Sequence, residues 1–184
     1  MKRLKRWLGL GSGAPPTLRV LMICSGNICR SPTAEGVLRA KLERAGLADR
    51  VEVDSAGTQG LHAREAPDPR AQAHARQRGY DLSRLRARKV TGEDFVRFHR
   101  VIAMDEGHLQ WLQDNAPPDA RARIELLMTH ARTHRDRRIV PDPYYGSDRD
   151  FELVLDLVED ACDGLVSELG RELERSERSG AGKA

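Results

Sequence analysis

The sequence predicts a single α/β domain with a four-stranded parallel open sheet and helices on both faces. Short apolar runs alternate with segments of helical spacing, which is the pattern of βαβ units. No internal repeat or linker divides them. At 184 residues the chain is long enough for one well-buried domain and too short for two comfortable ones.

The elements follow in order. Leu18–Cys24 is a continuous apolar run, as expected of a strand buried on both faces. Pro32–Ala45 has helical spacing at Val37, Leu38 and Leu42, with Gly46 closing it and Ser31 available as a cap. Val51–Asp54 reads as a strand ending in the turn Ser55-Ala56-Gly57. Arg70–Arg78 reads as a helix stopped by Gly79. Thr91 is expected to cap a helix through Phe98, supported by Asp94. Val101–Met104 is the third strand, Asp105 caps a helix carrying Leu109, Trp111 and Leu112, and Ile124–Met128 is the fourth strand. Asp148 opens a long helix whose apolar face is Phe151, Leu155, Val158, Cys162, Leu165 and Leu169. The domain is expected over 18–171, with loose ends at 1–17 and 172–184.

The composition excludes several classes. It is 39% hydrophobic and 32% charged, which suits a globular protein. With 31 basic and 28 acidic residues mixed along the chain, the net charge of +3 is no nucleic-acid footprint. No apolar run approaches the roughly 18 residues needed to span a membrane. The basic-apolar start breaks at Gly9 and Gly11, too early for a secretory signal. Three cysteines, Cys24, Cys29 and Cys162, do not make a disulfide framework, so the protein is expected to be cytoplasmic. Cys162 falls on the apolar face of the last helix and reads as core.

The most informative stretch is Cys24-Ser25-Gly26-Asn27-Ile28-Cys29-Arg30-Ser31, between the first strand and the first helix. A Gly-containing loop that enters a helix N-terminus turns backbone N–H groups inward and makes an anion site. That field and the Arg30 cation would favour a thiolate at Cys24, placed to attack a bound phosphate in line. Arg30 can hold two equatorial oxygens with its planar fork, and the Ser31 hydroxyl can bond the sulfur. Cys24 also fits a small hydrophobe ending a strand, and a C-x5-R pattern alone is weak. Its place after a strand, with a glycine inside and Ser-Pro opening a helix, favours the catalytic reading.

The segment VLMICSGNICRSPTAEGVL resembles the signature of the low-molecular-weight protein tyrosine phosphatases. Asp54-Ser55-Ala56-Gly57-Thr58, Asp68-Pro69-Arg70-Ala71, Val101-Ile102-Ala103-Met104-Asp105 and Asp142-Pro143-Tyr144-Tyr145-Gly146 follow in that family's order. The similarity runs from about Leu18 to Leu169. It implies a phosphocysteine intermediate, no metal or other cofactor, and phosphotyrosine-containing proteins as substrates. Cys24 would be the nucleophile, Arg30 the phosphate clamp and Asp142 the general acid. Without the resemblance, an Asp between prolines reads as a turn residue. Ser25, Gly26, Asn27, Ile28, Cys29 and Ser31 would form the phosphate loop, with Asn27 bracing its unusual backbone. Tyr144 and Tyr145 would wall the pocket.

Three positions depart from the family pattern. Ser25 stands where leucine is common, and Leu61 where many relatives carry an aromatic wall. Thr129–Arg138 is rich in Arg and His where an acidic stretch is often seen. Ile28 resembles the tyrosine-directed branch more than the phosphoarginine-directed one, which tends to threonine. The resemblance also suggests a reversible disulfide between Cys24 and Cys29. His130 and His134 share helical spacing but have arginine neighbours, so a solvated basic loop is favoured over a metal site. The alternatives are a protein-arginine phosphatase on the same scaffold and a non-catalytic phosphate-binding module. An arsenate reductase would need further relay cysteines, and Tyr80–Val96 contains none.

Overall fold

The computed structural model describes residues 17–181, so the basic extension expected at 1–17 lies outside them except for Thr17. The strands β1 (Leu18–Cys24), β2 (Val51–Gly57), β3 (Arg100–Ala103) and β4 (Arg123–Leu126) form a parallel sheet in the order β2-β1-β3-β4. The helices are α1 (Arg30–Arg44), α2 (Pro69–Gln77), α3 (Asp94–Arg97), α4 (Glu106–Asn115) and α5 (Asp148–Ala181).

Pleating explains why β1 is apolar almost throughout. Val20, Met22 and Cys24 join the core under α1 and α5, while Leu21 and Ile23 join the core under α3 and α4. On the first face, Val37, Leu38 and Leu42 of α1 meet Leu155, Val158, Cys162 and Leu165 of α5. On the second, Phe95, Phe98 and Leu112 cover Val101 and Ala103. Because β1 has β2 on one side and β3 on the other, the strand order reverses beside it. The crevice at its carboxyl end is where open α/β sheets bind ligands.

Several elements differ from their sequence expectation. α1 begins at Arg30, and Ser31 does not cap it, because its hydroxyl is buried against Cys24 and Asn27. β2 continues through Ser55-Ala56-Gly57, whose partners on β1 extend to Cys24. α3 is a single turn, since the Asp94 carboxylate reaches back to accept from the Thr91 N–H and hydroxyl, leaving Thr91 no capping role. β4 stops at Leu126, where the Thr129 hydroxyl takes the Leu126 carbonyl and the chain enters a 3₁₀ turn, Leu127–His130. Of the tail expected at 172–184, residues 172–181 are not loose but part of α5, and the rest lie outside the described residues. Leu173 is buried in the helix, Glu172 accepts from Arg100 at 2.6 Å and Glu177 from Arg50 at 2.8 Å.

The basic segment Thr129–Arg138 is tied down by acids. His130 is buried with Nδ1 2.8 Å from Glu168, and the Asp160 carboxylate accepts the N–H groups of Arg132, Thr133 and His134. The two histidines therefore pair with different carboxylates. Burial alone would push the Asp160 carboxyl up, but the backbone N–H donors win and hold it at about 2.

α5 crosses the 3₁₀ turn at Gly164, where a Cβ would lie 1.8 Å from the His130 carbonyl oxygen. Helix propensity alone would favour alanine there by about 1 kcal/mol. Gly164→Ala is nevertheless expected to lower the unfolding free energy by about 1–3 kcal/mol, because backbone must shift to admit the methyl. Urea unfolding measures this, and an unchanged or raised midpoint would contradict the close approach.

Candidate active site

The loop that follows β1 is shaped mainly by hydrogen bonds to its own backbone and to one asparagine. Thr58 N–H donates to the Cys24 carbonyl and Gln59 N–H to the Ser25 carbonyl, both at 2.9 Å, so the β2 exit lies directly beneath the loop. Gly57 is needed there, since a Cβ would come within 2.5 Å of the Ser25 carbonyl oxygen. Asp68 N–H donates to the Ile28 carbonyl at 2.8 Å and ties the far side to the start of α2.

Asn27 takes the left-handed turn of the loop, with φ of 57°. Its Nδ2 donates to Ser31 Oγ and Ser55 Oγ, each at 2.8 Å, and its Oδ1 accepts the Arg88 N–H at 2.9 Å. Ser55 in turn donates to Glu35 at 2.6 Å, and Arg39 Nε donates to the other Glu35 oxygen at 2.8 Å. Burial pushes the Glu35 carboxyl above its ordinary value, with the Ser55 and Arg39 contacts opposing it. Ser31 Oγ lies 3.0 Å from Cys24 Sγ, the contact expected from sequence.

Arg30 is only 3% exposed, and its charge is met by three acceptors. Nη1 donates to Asp105 Oδ2 at 2.8 Å and to the Val140 carbonyl at 3.3 Å, while Nη2 donates to Asp142 Oδ2 at 2.8 Å. Burial would raise the Asp105 carboxyl, but the His108 hydrogen bonds and the Arg30 charge outweigh it and hold it well below the usual carboxylate range. Val140 is fixed by its own N–H bond to the Met104 carbonyl at 2.8 Å, which carries the segment before Asp142 across the end of β3.

A cavity of about 250 Å³ opens over this loop. It is lined by Cys24, Ser25, Gly26, Ile28, Cys29, Arg30, Leu61, Asp142, Tyr144 and Tyr145, so ten residues singled out from sequence share one site. Asn27 and Ser31 sit behind it, buried. Gln59 and His62 also line it and were missed, although His62 follows Leu61 directly; Asp105 was read only as a helix cap.

The rim is unequal. Tyr144 and Tyr145 meet edge to face with centroids 4.9 Å apart. Arg70, paired with Asp68, donates to the Tyr144 carbonyl at 2.9 Å and lies 5.7 Å from its ring centroid. Leu61 opposite is 79% exposed and offers no ring. Cys29 packs with Ile28, Ala71 and Phe151, and burial, followed by the Asp68 charge, pushes its thiol up to about 12. Cys24, Cys29 and Cys162 are free thiols, and Cys162 is buried in the core as expected.

Asn27→Ala removes three hydrogen bonds and leaves the Arg88 N–H without its acceptor, so it is expected to cost about 1–3 kcal/mol in urea unfolding. Asn27→Gly loses the same bonds but suits a φ of 57°, and should cost less. Equal losses would mean that the backbone turn is not what asparagine supports.

Comparison with known proteins finds relatives over most of the chain. A family model described as low molecular weight phosphotyrosine protein phosphatase matches residues 19–175. A low molecular weight protein-tyrosine-phosphatase of Streptomyces coelicolor is 43% identical over 160 residues, which is 86% of this chain and 97% of that one. The crystal structure of a protein tyrosine phosphatase from Entamoeba histolytica, with Hepes in its active site, superposes with a TM-score of 0.81 at 34% identity, over 84% of this chain and 98% of that one. An arginine phosphatase of Drosophila superposes with a TM-score of 0.76 at 28% identity, over 83% of this chain and 98% of that one.

Proposed function

The chain belongs to the low molecular weight phosphotyrosine protein phosphatase family, and on that premise we propose that Cys24, Arg30 and Asp142 hydrolyse phosphotyrosine in protein substrates through a phosphocysteine. The observation that carries the assignment is the Arg30 guanidinium, fixed at the loop between Asp105 and Asp142 with the Cys24 thiol in the same cavity.

The Asp105 and Val140 contacts occupy Nη1, so Nε and Nη2 form the edge that takes two phosphate oxygens. The phosphate competes with Asp142 for Nη2, which frees the Asp142 carboxyl to turn toward the leaving oxygen. Cys24, as thiolate, attacks phosphorus in line; the P–S bond forms, the ester P–O bond breaks, and Asp142 gives its proton to the departing tyrosine oxygen. Asp142 then takes a proton from water, whose oxygen attacks the same phosphorus. The P–S bond breaks and the thiolate returns, with the Ser31 hydroxyl 3.0 Å away to stabilise it. Tyr144 and Tyr145 offer faces to an aromatic leaving group, and Ile28 supplies an apolar floor. Cys29, as a buried thiol, gives the nucleophile little competition; the Cys24–Cys29 disulfide would require it to lose a proton that burial holds.

No described helix is long and apolar enough to cross a membrane. The need for a reduced Cys24 suits a reducing compartment, and the cytoplasm is the proposed location. The domain is proposed to begin at residue 18, and the helix at 172–181 extends its C-terminal side.

Cys24→Ser is expected to abolish turnover of phosphotyrosine peptides without added metal, while inorganic phosphate still binds. Asp142→Ala should slow phosphotyrosine hydrolysis by roughly 10²–10⁴ and matter far less for aryl phosphates whose leaving group needs no proton. Steady-state rates across a leaving-group series measure both, and equal losses for good and poor leaving groups would remove Asp142 from the acid role. Faster turnover of phosphoarginine than of phosphotyrosine peptides would shift the substrate class to the alternative.

A further inference from the structure

Ser25 and Arg30 stand at the two ends of the loop, and one turn of α4 reaches both of them. The Ser25 hydroxyl shares a hydrogen bond of 2.9 Å with His108 Nε2. His108 is 6% exposed and sits three residues beyond Asp105, the cap of α4. Its backbone N–H donates to Asp105 Oδ1 at 2.8 Å. Its Nδ1 is buried 3.0 Å from the same oxygen, without the alignment of a full hydrogen bond. The other Asp105 oxygen receives Arg30 Nη1 at 2.8 Å. A continuous path thus runs from Ser25 through His108 and Asp105 to the guanidinium.

We propose that His108 is a positioning residue that staples both ends of the phosphate loop, orienting Arg30 through Asp105 and the first loop residue through the Ser25 hydroxyl. This rests on the reading of Arg30 as the phosphate clamp. A carboxylate alone can rotate about its Cβ–Cγ bond and carry Arg30 with it. The His108 N–H bond to Oδ1, with Nδ1 packed 3.0 Å from the same oxygen, restrains that rotation, so Oδ2 presents one direction to Nη1. The carboxylate also selects the tautomer. With the imidazole proton on Nδ1, facing Asp105, Nε2 is left to accept from the Ser25 hydroxyl. The Ser25 proton is therefore spent on His108. Ser25 serves a bound phosphate through its backbone N–H, and its side chain sets where that N–H sits. Leucine at this position could not form the staple, which gives the departure at Ser25 a physical meaning.

The test compares wild type with His108→Ala, His108→Asn, His108→Gln and Cys24→Ser, reading kcat and KM for a phosphotyrosine peptide, the inhibition constant of inorganic phosphate, and the thermal midpoint. His108→Ala is expected to lower kcat/KM by roughly tenfold and to raise the phosphate inhibition constant in step, because the clamp is misdirected. Asparagine keeps a donor where Nδ1 stands, and glutamine keeps only a partner for Ser25. The order of phosphate affinity should be His, then Asn, then Gln, whatever the order of thermal midpoints. That order also decides the matter if His108→Ala fails to fold. Phosphate inhibition unchanged within about twofold in His108→Ala, or glutamine matching histidine while asparagine does not, would overturn the proposal. Cys24→Ser separates the two readings: residual turnover in that variant would sink the phosphatase mechanism itself, whereas a dead Cys24→Ser beside unaffected His108 variants would sink only the staple.

Discussion

A guanidinium buried at the mouth of a loop is expensive unless its charge is met in place, and the organisation of this protein around Arg30 follows from that cost. Asp105 comes from the end of β3, the Val140 carbonyl and Asp142 from the long connection before α5, and Arg30 itself opens α1. Three separate parts of the chain therefore have to arrive together for one side chain to be buried. The sheet provides the meeting point, since β1 and β3 are neighbours and their carboxyl ends lie side by side. A pair of carboxylates around one arginine would be poor design for stability alone, because apolar packing could fill the same space. What the pair does provide is direction, since each terminal nitrogen of the arginine is held by its own carboxylate.

Behind the loop, a second layer works through neutral groups. Asn27, Ser31 and Ser55 connect the thiol of Cys24 to the buried Glu35, and no member of that chain lacks a partner. The layer lets the backbone turn through a left-handed residue without leaving stranded donors. Gly57 permits the approach of β2 that brings Ser55 there. The Cys29 thiol, by contrast, sits in an apolar pocket with Ala71 and Phe151 and is kept protonated. Both cysteines of this short loop are buried, but Cys24 has the Ser31 hydroxyl 3.0 Å from its sulfur.

Much of this was legible in the chain itself. The strand at Leu18–Cys24 and the amphipathic face of α5 declared themselves through their apolar residues, because the strand is buried at every position but Arg19 and the helix face is buried from Phe151 to Leu173. The loop residues were singled out because a phosphate-binding reading asks for their types in that order, and the structure brings Cys24, Ser25, Gly26, Ile28, Cys29 and Arg30 to one cavity. What could not be seen were contacts that depend on the fold bringing distant segments together. Asp105 looked like a helix cap, which it is, and nothing in its sequence neighbourhood marks its second oxygen as a partner of Arg30. His108 carried no signal at all, since a single histidine in a first helical turn is unremarkable until Ser25 is found against it. Boundaries failed where tertiary contacts overrode local preference. Ser55 and Gly57 read as a turn yet extend β2 because β1 pairs with them, and the polar end of α5 persists because Arg100 and Arg50 reach its glutamates.

The proposed mechanism requires a covalent bond between phosphorus and Cys24 during turnover. Rapid quenching of the enzyme during turnover of a phosphotyrosine peptide, followed by peptide mapping with mass spectrometry, tests it most directly. One phosphoryl group is expected on the peptide that contains Cys24, carried by sulfur and absent in Cys24→Ser. A phosphoryl group on any other side chain, or full turnover with no phosphoenzyme and no burst of released tyrosine, would contradict it.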